Sequence, residues 1–174
     1  MSQLYVNAIT EKTSGNGVHI PGHVIQVVSV DKKDTFTTTS TTFTDVTGLS
    51  VQITPSAASS KILVTGALVG STNSSFFWAR LMRDSTQVLI PDSTGNRTTA
   101  NFGFVTHNSS TYIQQTVPIH ALDSPSSTSA LTYKIQIECY AGISYVNRTD
   151  RNANHALGYD GLGVSTITVM EIAQ

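Results

Sequence analysis

The sequence predicts an all-β protein, an antiparallel two-sheet jelly-roll sandwich with a short extended arm at its N-terminus. Three observations lead to the sandwich. Apolar and polar residues alternate along most of the chain, and turn-forming residues recur roughly every 8–12 residues. Ser and Thr supply 46 of 174 residues, whereas only 12% are charged. This composition favours strands with hydroxyl-covered outer faces, because Thr is β-branched and Ser competes with helical hydrogen bonds.

Residues 43–69 show the pattern as a strand, a turn and a second strand. Apolar and polar residues alternate in residues 49–53, as expected for a strand with one buried face. Pro55 ends this strand because it has no N–H group for the ladder, and residues 56–60 form a small polar loop. Residues 61–69 are apolar on both faces, which predicts a strand that is covered on both sides.

Two later segments are equally informative. In residues 131–139 the odd-numbered positions are apolar and the even-numbered ones polar, so the odd-numbered side chains face the core. Cys139 lies on that face and is the only cysteine, so we expect a small buried hydrophobe and neither a disulfide nor a zinc site. Residues 76–83 form the most aromatic strand, and its first residues are large and apolar on both faces. Phe76 and Trp78 lie on one face and Phe77 on the other. We expect one of these faces to meet the core and the other to meet a neighbouring subunit.

The remaining elements complete the sandwich. Further strands are predicted at residues 23–30, 35–44, 86–90, 101–107, 111–122, 143–146 and 164–172, with turns or loops at 31–34, 45–48, 71–75, 84–85, 91–100, 108–110 and 123–129. The strand at 35–44 is largely threonine, which is typical of a sheet edge or a solvated face. The regular strand at 164–172 is expected inside a sheet.

Residues 1–22 differ from the head domain that we predict for residues 23–174. They contain a short apolar stretch followed by Gly-rich and Pro-Gly segments, and they cannot bury much of themselves. We expect an arm that packs on another chain or inserts into a partner, with a frayed terminus as the alternative. The expected attachment residues are Leu4, Tyr5, Val6 and Ile9.

Composition excludes several classes of function. The net charge is −1 and the basic residues are scattered, so no basic surface for nucleic acid is expected. No apolar run approaches the roughly 20 residues of a membrane span. The N-terminus lacks the basic and apolar regions of a signal peptide. We therefore expect that the protein is used without Sec export or leaves the cell as part of a larger particle.

Motifs for catalysis are also absent from the sequence. It contains no Gly-x-Ser-x-Gly, Gly-x-Gly-x-x-Gly or P-loop pattern, and its aspartates lie mostly in predicted turns. His19 and His23 are separated by Pro21 and Gly22, so they cannot share a helical face as zincin histidines do. We therefore expect no enzyme, no catalytic residue, no metal ligand and no cofactor.

The best candidate for recognition is the long polar loop at residues 147–162. It supplies hydrogen-bond donors, acceptors and one flat ring, which together suit the hydroxyl groups and C–H face of a sugar, and recognition commonly resides in loops on a rigid scaffold. The candidate residues are Asn147, Arg148, Asp150, Arg151, Asn152, Asn154, His155, Tyr159 and Asp160. Alternatives are a solvated connection or a loop that packs on the next subunit. Residues 91–101, with Asn96 and Arg97, are a second and weaker candidate.

Three separated blocks carry a resemblance to a known group of proteins. They are FTDVTGLSVQITPS with SSKILV at residues 43–56 and 59–64, LDSP with LTYK at 122–125 and 131–134, and STITVMEI at 165–172. In this order they resemble tail-fibre and related virion proteins of phages of aquatic bacteria, including cyanophages. Residues 9–18, ITEKTSGNGV, are similar to a short repeat that precedes the head domain in such fibres.

The resemblance implies a virion location and a homotrimeric head with a tumour-necrosis-factor-like jelly roll, mounted on other virion proteins by its N-terminal arm. Such a head would bind a host surface glycan or protein. The arm is shorter than the shaft of a long fibre, so the resemblance implies a short tail fibre or, alternatively, a capsid decoration (cement) protein that binds no host. A trimer axis also leaves open an ion held by three copies of one histidine.

Overall fold

The computed structural model describes residues 8, 10, 20–73, 76–105, 111–154 and 156–174, without the Val105 side chain. Within these residues the chain forms eleven strands and no helix, which confirms the all-β prediction. The predicted attachment residues Leu4, Tyr5, Val6 and Ile9 lie outside the described residues, so the arm stays a prediction.

The strands follow the predicted order along the chain. They are β1 (Val24–Lys32), β2 (Phe36–Thr38), β3 (Thr44–Ile53), β4 (Lys61–Thr72), β5 (Phe76–Arg83), β6 (Thr86–Gln87), β7 (Phe102–Val105), β8 (Gln115–Asp123), β9 (Leu131–Cys139), β10 (Ser144–Val146) and β11 (Ser165–Ile172).

Two antiparallel sheets form the sandwich. In sheet A the order is β1-β11-β4-β8. The short strand β10 also pairs with β4, beyond the end of β11, and β2 pairs with β10. In sheet B the order is β3-β9-β5-β7, with the short β6 beside the end of β5. The chain therefore passes repeatedly from one sheet to the other, as in a double Greek key, which confirms the jelly roll.

The core lies between the sheets and follows the predicted alternation. In β9 the odd-numbered residues are all buried, and Tyr133 and Ile135 are fully enclosed. In β5 the core face is the one with Phe77, which is fully buried and stacks on Phe104 at a ring-centroid distance of 4.6 Å. Cys139 is buried, as predicted, and its Sγ donates to the carbonyl oxygen of Ala141.

Strand β4 differs from its prediction in one respect. Its inward residues, including Ile62, Val64 and Leu68, are fully buried. The outward residues, including Leu63 and Val69, are only half-buried, because they lie on the outer face of sheet A. Within the described part of the chain, the strand is covered on one face although its sequence is apolar on both.

The predicted threonine-rich strand at 35–44 is wrong. The chain is extended only at β2 and again from Thr44, and residues 39–43 leave the sheet between them. There the Ser40 hydroxyl donates to the carbonyl oxygen of Thr42 at 2.7 Å and accepts from the Thr42 N–H at 3.1 Å. Such local hydrogen bonds compete with pairing between strands, which explains why the threonine run does not form one strand.

The predicted turn at 45–48 is also wrong, because these residues belong to β3. The register between β3 and β9 shifts between Asp45 and Ser50, and Gly48 has φ of 81°. A bulge of this kind inserts residues without ending the strand, and glycine adopts its left-handed backbone at low cost. Asp45 remains bonded to sheet B through Lys134 Nζ at 2.7 Å.

Several boundaries shift for identifiable reasons. Strand β4 continues to Thr72, because residues 70–72 pair with β10. The strand predicted at 86–90 ends at Gln87, since Val88 turns into the core and Leu89 has φ of 54°. The strands predicted at 101–107 and 111–122 correspond to β7, which begins at Phe102, and β8, which runs from Gln115 to Asp123. Residues 106–110 lie outside the described residues.

A buried carboxylate stabilises the end of the sandwich where the 54–60 loop lies. Glu171 is fully buried, and its Oε1 accepts hydrogen bonds from the N–H and Oγ of Ser56 at 2.8 and 2.6 Å and from Ser60 Oγ at 2.7 Å. Gln26 Nε2 donates to Oε2 at 2.6 Å. Burial raises the pKa of Glu171, but these hydrogen bonds outweigh that effect and leave its pKa below the ordinary value.

Candidate functional site

The polar loop proposed for recognition leaves the middle of a strand row in sheet A. Strands β10 and β11 lie end to end beside β4, opposite residues 70–72 and 61–67 respectively. Between them the chain departs and returns as residues 148–164, which we call the excursion. Its base is closed by a bridge between Arg148 and Leu162 and by the hydrogen bond from Gly163 N–H to the Asn147 carbonyl oxygen at 3.0 Å.

Asn147 holds this base together and is not a surface residue. Its side chain is fully buried, and Nδ2 donates to the carbonyl oxygens of Lys32 and Asp34 at 2.8 and 2.9 Å. Its Oδ1 accepts from Ser165 Oγ at 2.7 Å, and its N–H donates to the Val69 carbonyl oxygen at 2.9 Å. The amide thus joins the gap between β1 and β2 to the gap between β10 and β11. Burial removes Asn147 from the predicted recognition set.

An ion pair stabilises the excursion from within. Arg151 Nε donates to Asp160 Oδ2 at 2.8 Å and a second guanidinium nitrogen bonds to the same oxygen, while Thr149 Oγ1 donates to Asp160 Oδ1 at 2.7 Å. The Arg151 hydrogen bond holds the pKa of Asp160 below its usual value. Two of the predicted binding residues, Arg151 and Asp160, therefore use much of their hydrogen-bonding capacity on each other.

The excursion packs on residues 111–114, which precede β8. The Arg151 N–H donates to the Thr111 carbonyl oxygen at 3.1 Å, and its guanidinium lies 4.2 Å from the centre of the Tyr112 ring. Gln114 Nε2 donates to the Gly161 carbonyl oxygen. The rings of Tyr112 and Tyr159 are 5.9 Å apart. The sequence analysis did not identify Tyr112 as part of this surface. The only signal in the sequence is an aromatic residue next to a polar segment.

Arg148 and Asp150 are occupied at the base of the excursion. The Arg148 guanidinium lies 4.1 Å from the centre of the Tyr145 ring, and its carbonyl oxygen accepts from Ser71 Oγ at 2.7 Å. Burial, together with a hydrogen bond to Asp150, raises the pKa of Tyr145 to about 12. These contacts orient the base of the excursion and engage both side chains there.

The outer part retains the groups that suit a ligand. Asn152 and Asn154 are exposed, and 53% of Tyr159 is exposed. An open depression of about 320 Å³ lies beside the two asparagines, lined by Asn152, Ala153, Asn154, Gly158, Asp160, Gly161 and Leu162. His155 lies outside the described residues. The structure thus brings two amide groups and an aromatic ring to the surface of the excursion, and such groups can contact sugar hydroxyls and C–H faces.

The outer face of sheet B carries a separate aromatic group. Phe76 and Trp78 project there with nearly parallel rings 6.2 Å apart, and Tyr140 meets Phe76 edge to face at 5.7 Å. Gly103 allows the Trp78 ring to lie over β7, because a Cβ atom at that position would come within 2.3 Å of the ring. The second candidate loop, residues 91–101, runs beside this sheet, and Thr98 bonds to Glu138.

Neither a group of metal ligands nor a membrane-spanning helix is found in the described ranges. Among those residues, no three His, Cys, Asp or Glu side chains are grouped so that they could hold an ion. The described residues also include no helix long and apolar enough to cross a membrane.

Comparisons with known proteins give only distant likenesses. No family model matches the chain, and a sequence comparison with curated proteins finds no match. A structure of the infectious bursal disease virus VP2 subviral particle is 15% identical over 86% of this chain and 38% of that one, with a TM-score of 0.40. A structure of the Gt strain of the same virus is 15% identical over 98% of this chain and 43% of that one, with a TM-score of 0.44. This chain spans less than half the length of either, and at these TM-scores the likeness carries no argument about function.

Proposed function

We propose that this chain is a structural protein of a bacteriophage virion, a short tail fibre that forms a homotrimer and attaches to a host surface receptor. The sequence blocks at 43–64, 122–134 and 165–172 support the virion assignment, and all three lie in strands or turns of the jelly roll. The arm, residues 1–22, joins the head to other virion proteins. No catalytic step is needed for this role.

The excursion is the observation that carries attachment. It projects from the interrupted row of sheet A, is stabilised by the Arg151–Asp160 ion pair, and keeps Asn152, Asn154 and Tyr159 at its surface. A rigid loop on a rigid sandwich loses little conformational entropy on binding. Exposed amides beside an aromatic ring favour a glycan as the receptor. Three copies would bind with avidity once the first site is engaged.

Binding of labelled protein to intact host cells tests attachment. We expect saturable binding that Tyr159→Ala and Asn154→Ala each weaken about tenfold, the loss of roughly 1.4 kcal/mol per site. Tyr140→Ala is the matched control, because 71% of Tyr140 is exposed and it lies outside the excursion. Equal binding by all three variants and the wild type would contradict recognition by the excursion.

A capsid decoration protein is the alternative from a different class. Leu157 and Leu162 favour it, because 66% and 78% of these side chains are exposed on the excursion and would suit a protein surface. Gold-labelled antibody on intact virions separates the two roles. Label at the tail supports attachment, whereas label spread over the capsid, with binding to empty capsids and none to cells, supports decoration.

A further inference from the structure

One row of apolar side chains crosses the whole outer face of sheet A. Val27 pairs with Met170, Met170 with Leu63, and Leu63 with Leu122, so the four side chains lie side by side on four neighbouring strands. At the two ends of the row, 56% of Val27 and 50% of Leu122 are exposed. We call these four residues the apolar row.

The face around the apolar row is nearly free of charge. The next row towards the excursion, Ser29, Thr168, Thr65 and His120, carries hydroxyl groups and one imidazole. On the outward positions of the four strands, the charged side chains are Asp31 and Lys61, which lie at opposite ends of the face.

Sheet B provides a contrast within the same molecule. Its outer face carries the charged residues Asp45, Arg80, Lys134 and Glu138 beside the aromatic group of Phe76, Trp78 and Tyr140, and Lys134 Nζ lies 2.7 Å from Asp45 Oδ2. A face exposed to water keeps such charges, whereas the centre of a protein interface is depleted of them. The difference between the two outer faces indicates that sheet A is covered and that this part of sheet B is solvated.

The sequence of β4 leads to the same conclusion. Residues 61–69 are apolar on both faces, which is typical of a strand buried on both sides, yet the outward residue Leu63 is only half-buried. Val69, at the other end of the same face, is covered in part by Gly163 of the excursion, so the surface that needs a partner is the part around Leu63. Burying the rest of this surface would be favourable at about 25 cal/mol per Å² of apolar area.

We propose that the outer face of sheet A, centred on the apolar row, binds a second copy of this chain. This deepens the proposed function, because it names the surface through which the proposed homotrimer assembles. A face with so little charge meets no like-charge repulsion from an identical molecule. In a closed ring of three, each copy would present this face to one neighbour and a different surface to the other.

The size of the face and the nature of its edge support this occupant. Four strand rows and about eight residues along each give a footprint of roughly 20 by 25 Å, or about 500 Å² in projection. That is most of the roughly 800 Å² that each partner buries in a stable interface. The accessible area is larger than this projection, because the side chains stand above the plane of the sheet. Pro118 lies in the edge strand β8 and lacks an N–H group, which disfavours association by strand pairing at that edge and leaves the face.

Sedimentation velocity of the full chain and of a double variant, Val27→Glu with Leu122→Glu, tests the proposal. We expect the wild type to sediment as an oligomer and the variant at the monomer mass of 18.6 kDa, with self-association weakened at least about 100-fold. Because both side chains are largely exposed, the variant should keep its fold, which circular dichroism checks. The matched control is Thr47→Glu with Gln52→Glu, two exposed positions of β3, which should stay oligomeric.

Amine labelling gives a second readout that does not depend on a variant. Lys61 lies on the proposed interface and Lys33 outside it, so raising the protein concentration should protect Lys61 and leave Lys33 reactive. An oligomer that persists in the double variant with Lys61 unprotected would overturn this surface and leave the homotrimer standing. A monomeric wild type would overturn both, while recognition by the excursion would still be decided by the cell-binding experiment.

Discussion

At the scale of single residues, Asn147 matters most for the candidate site. Sheet A is interrupted twice at the same level, between β1 and β2 and between β10 and β11, and the Asn147 side chain spans both interruptions. Its backbone is left-handed, with φ of 63°, a conformation that Asn tolerates better than most residues. One residue thus supplies three side-chain hydrogen bonds and the backbone geometry with which the excursion begins.

We predict that Asn147→Ala destabilises the protein by about 3 kcal/mol, because it leaves two carbonyl oxygens and one hydroxyl without their buried partner. Asn147→Gly should cost about 1 kcal/mol less, since glycine adopts the left-handed backbone freely. Urea unfolding measures both values. Asn154→Ala, an exposed asparagine of the same excursion, is the control and should change stability by less than about 0.5 kcal/mol. Equal stability of Asn147→Ala and Asn154→Ala would contradict the structural role.

Glu171 makes stability depend on pH at the opposite end of the sandwich. Its pKa in the folded protein lies below the ordinary value of 4.5 because four donor groups face the ionised carboxylate. A group with a depressed pKa binds its proton less readily in the folded than in the unfolded chain. Its contribution is therefore complete above pH 4.5 and is lost as the pH falls through the folded-state pKa.

Glu171→Gln should remove this acid sensitivity and lower stability at neutral pH by about 2 kcal/mol, because an amide N–H₂ group would face hydrogen-bond donors. Urea midpoints between pH 7 and about pH 3 measure the effect. The wild type and the variant should converge towards acid pH. Parallel curves for the two proteins would show that Glu171 does not carry the dependence. Asp92→Asn serves as the control, since Asp92 is an exposed residue of the 91–101 loop.

At the scale of elements, the excursion is an addition to a strand row that is otherwise continuous. Arg148 and Leu162 are paired at its base, so a two-residue turn could join them directly. We predict that replacing residues 149–161 with Asn-Gly leaves the jelly roll folded, within about 2 kcal/mol of the wild type, since a shorter loop costs less to close. Cell binding should be lost.

Thermal unfolding and amide exchange in β10 and β11 measure the fold of this variant. A second deletion that also removes Asn147 should fail to protect these strands, because the carbonyl groups of Lys32 and Asp34 would lose their donor. If the Asn-Gly variant also unfolds, the excursion is part of the core structure. If it folds and still binds cells, recognition lies elsewhere on the molecule.

The elements also show how far the sequence alone could lead. Strands β5 and β9 have their predicted bounds, because local alternation of apolar residues specifies them. The threonine-rich segment and the Asp45–Gly48 bulge were mispredicted because hydroxyl hydrogen bonds and pairing with β9 decide them. The excursion was located correctly, but its inner residues depend on tertiary contacts. Asn147 is polar yet buried, and Tyr112 joins the surface from a distant part of the chain.

At the scale of the whole molecule, the centres of the two proposed surfaces lie apart. Along β4 the apolar row is at Leu63, whereas the excursion starts beside Val69, about 20 Å further along the strand. Assembly centred on the apolar row would therefore bring a neighbour close to the base of the excursion, and we expect it to leave the outer part, with Asn154 and Tyr159, exposed. Identical subunits around one axis would present three excursions in the same direction, which is the arrangement that multivalent binding requires.

Separating the two surfaces allows avidity itself to be measured. The Val27→Glu, Leu122→Glu variant should bind host cells about 100-fold more weakly than the wild type, although each excursion is intact, because the gain from simultaneous contacts is lost. Tyr159→Ala should weaken binding while the protein stays oligomeric. Fusing the double variant to an unrelated trimeric coiled coil should restore most of the binding. If the monomeric variant binds as tightly as the wild type, one excursion suffices and assembly serves the architecture of the particle alone.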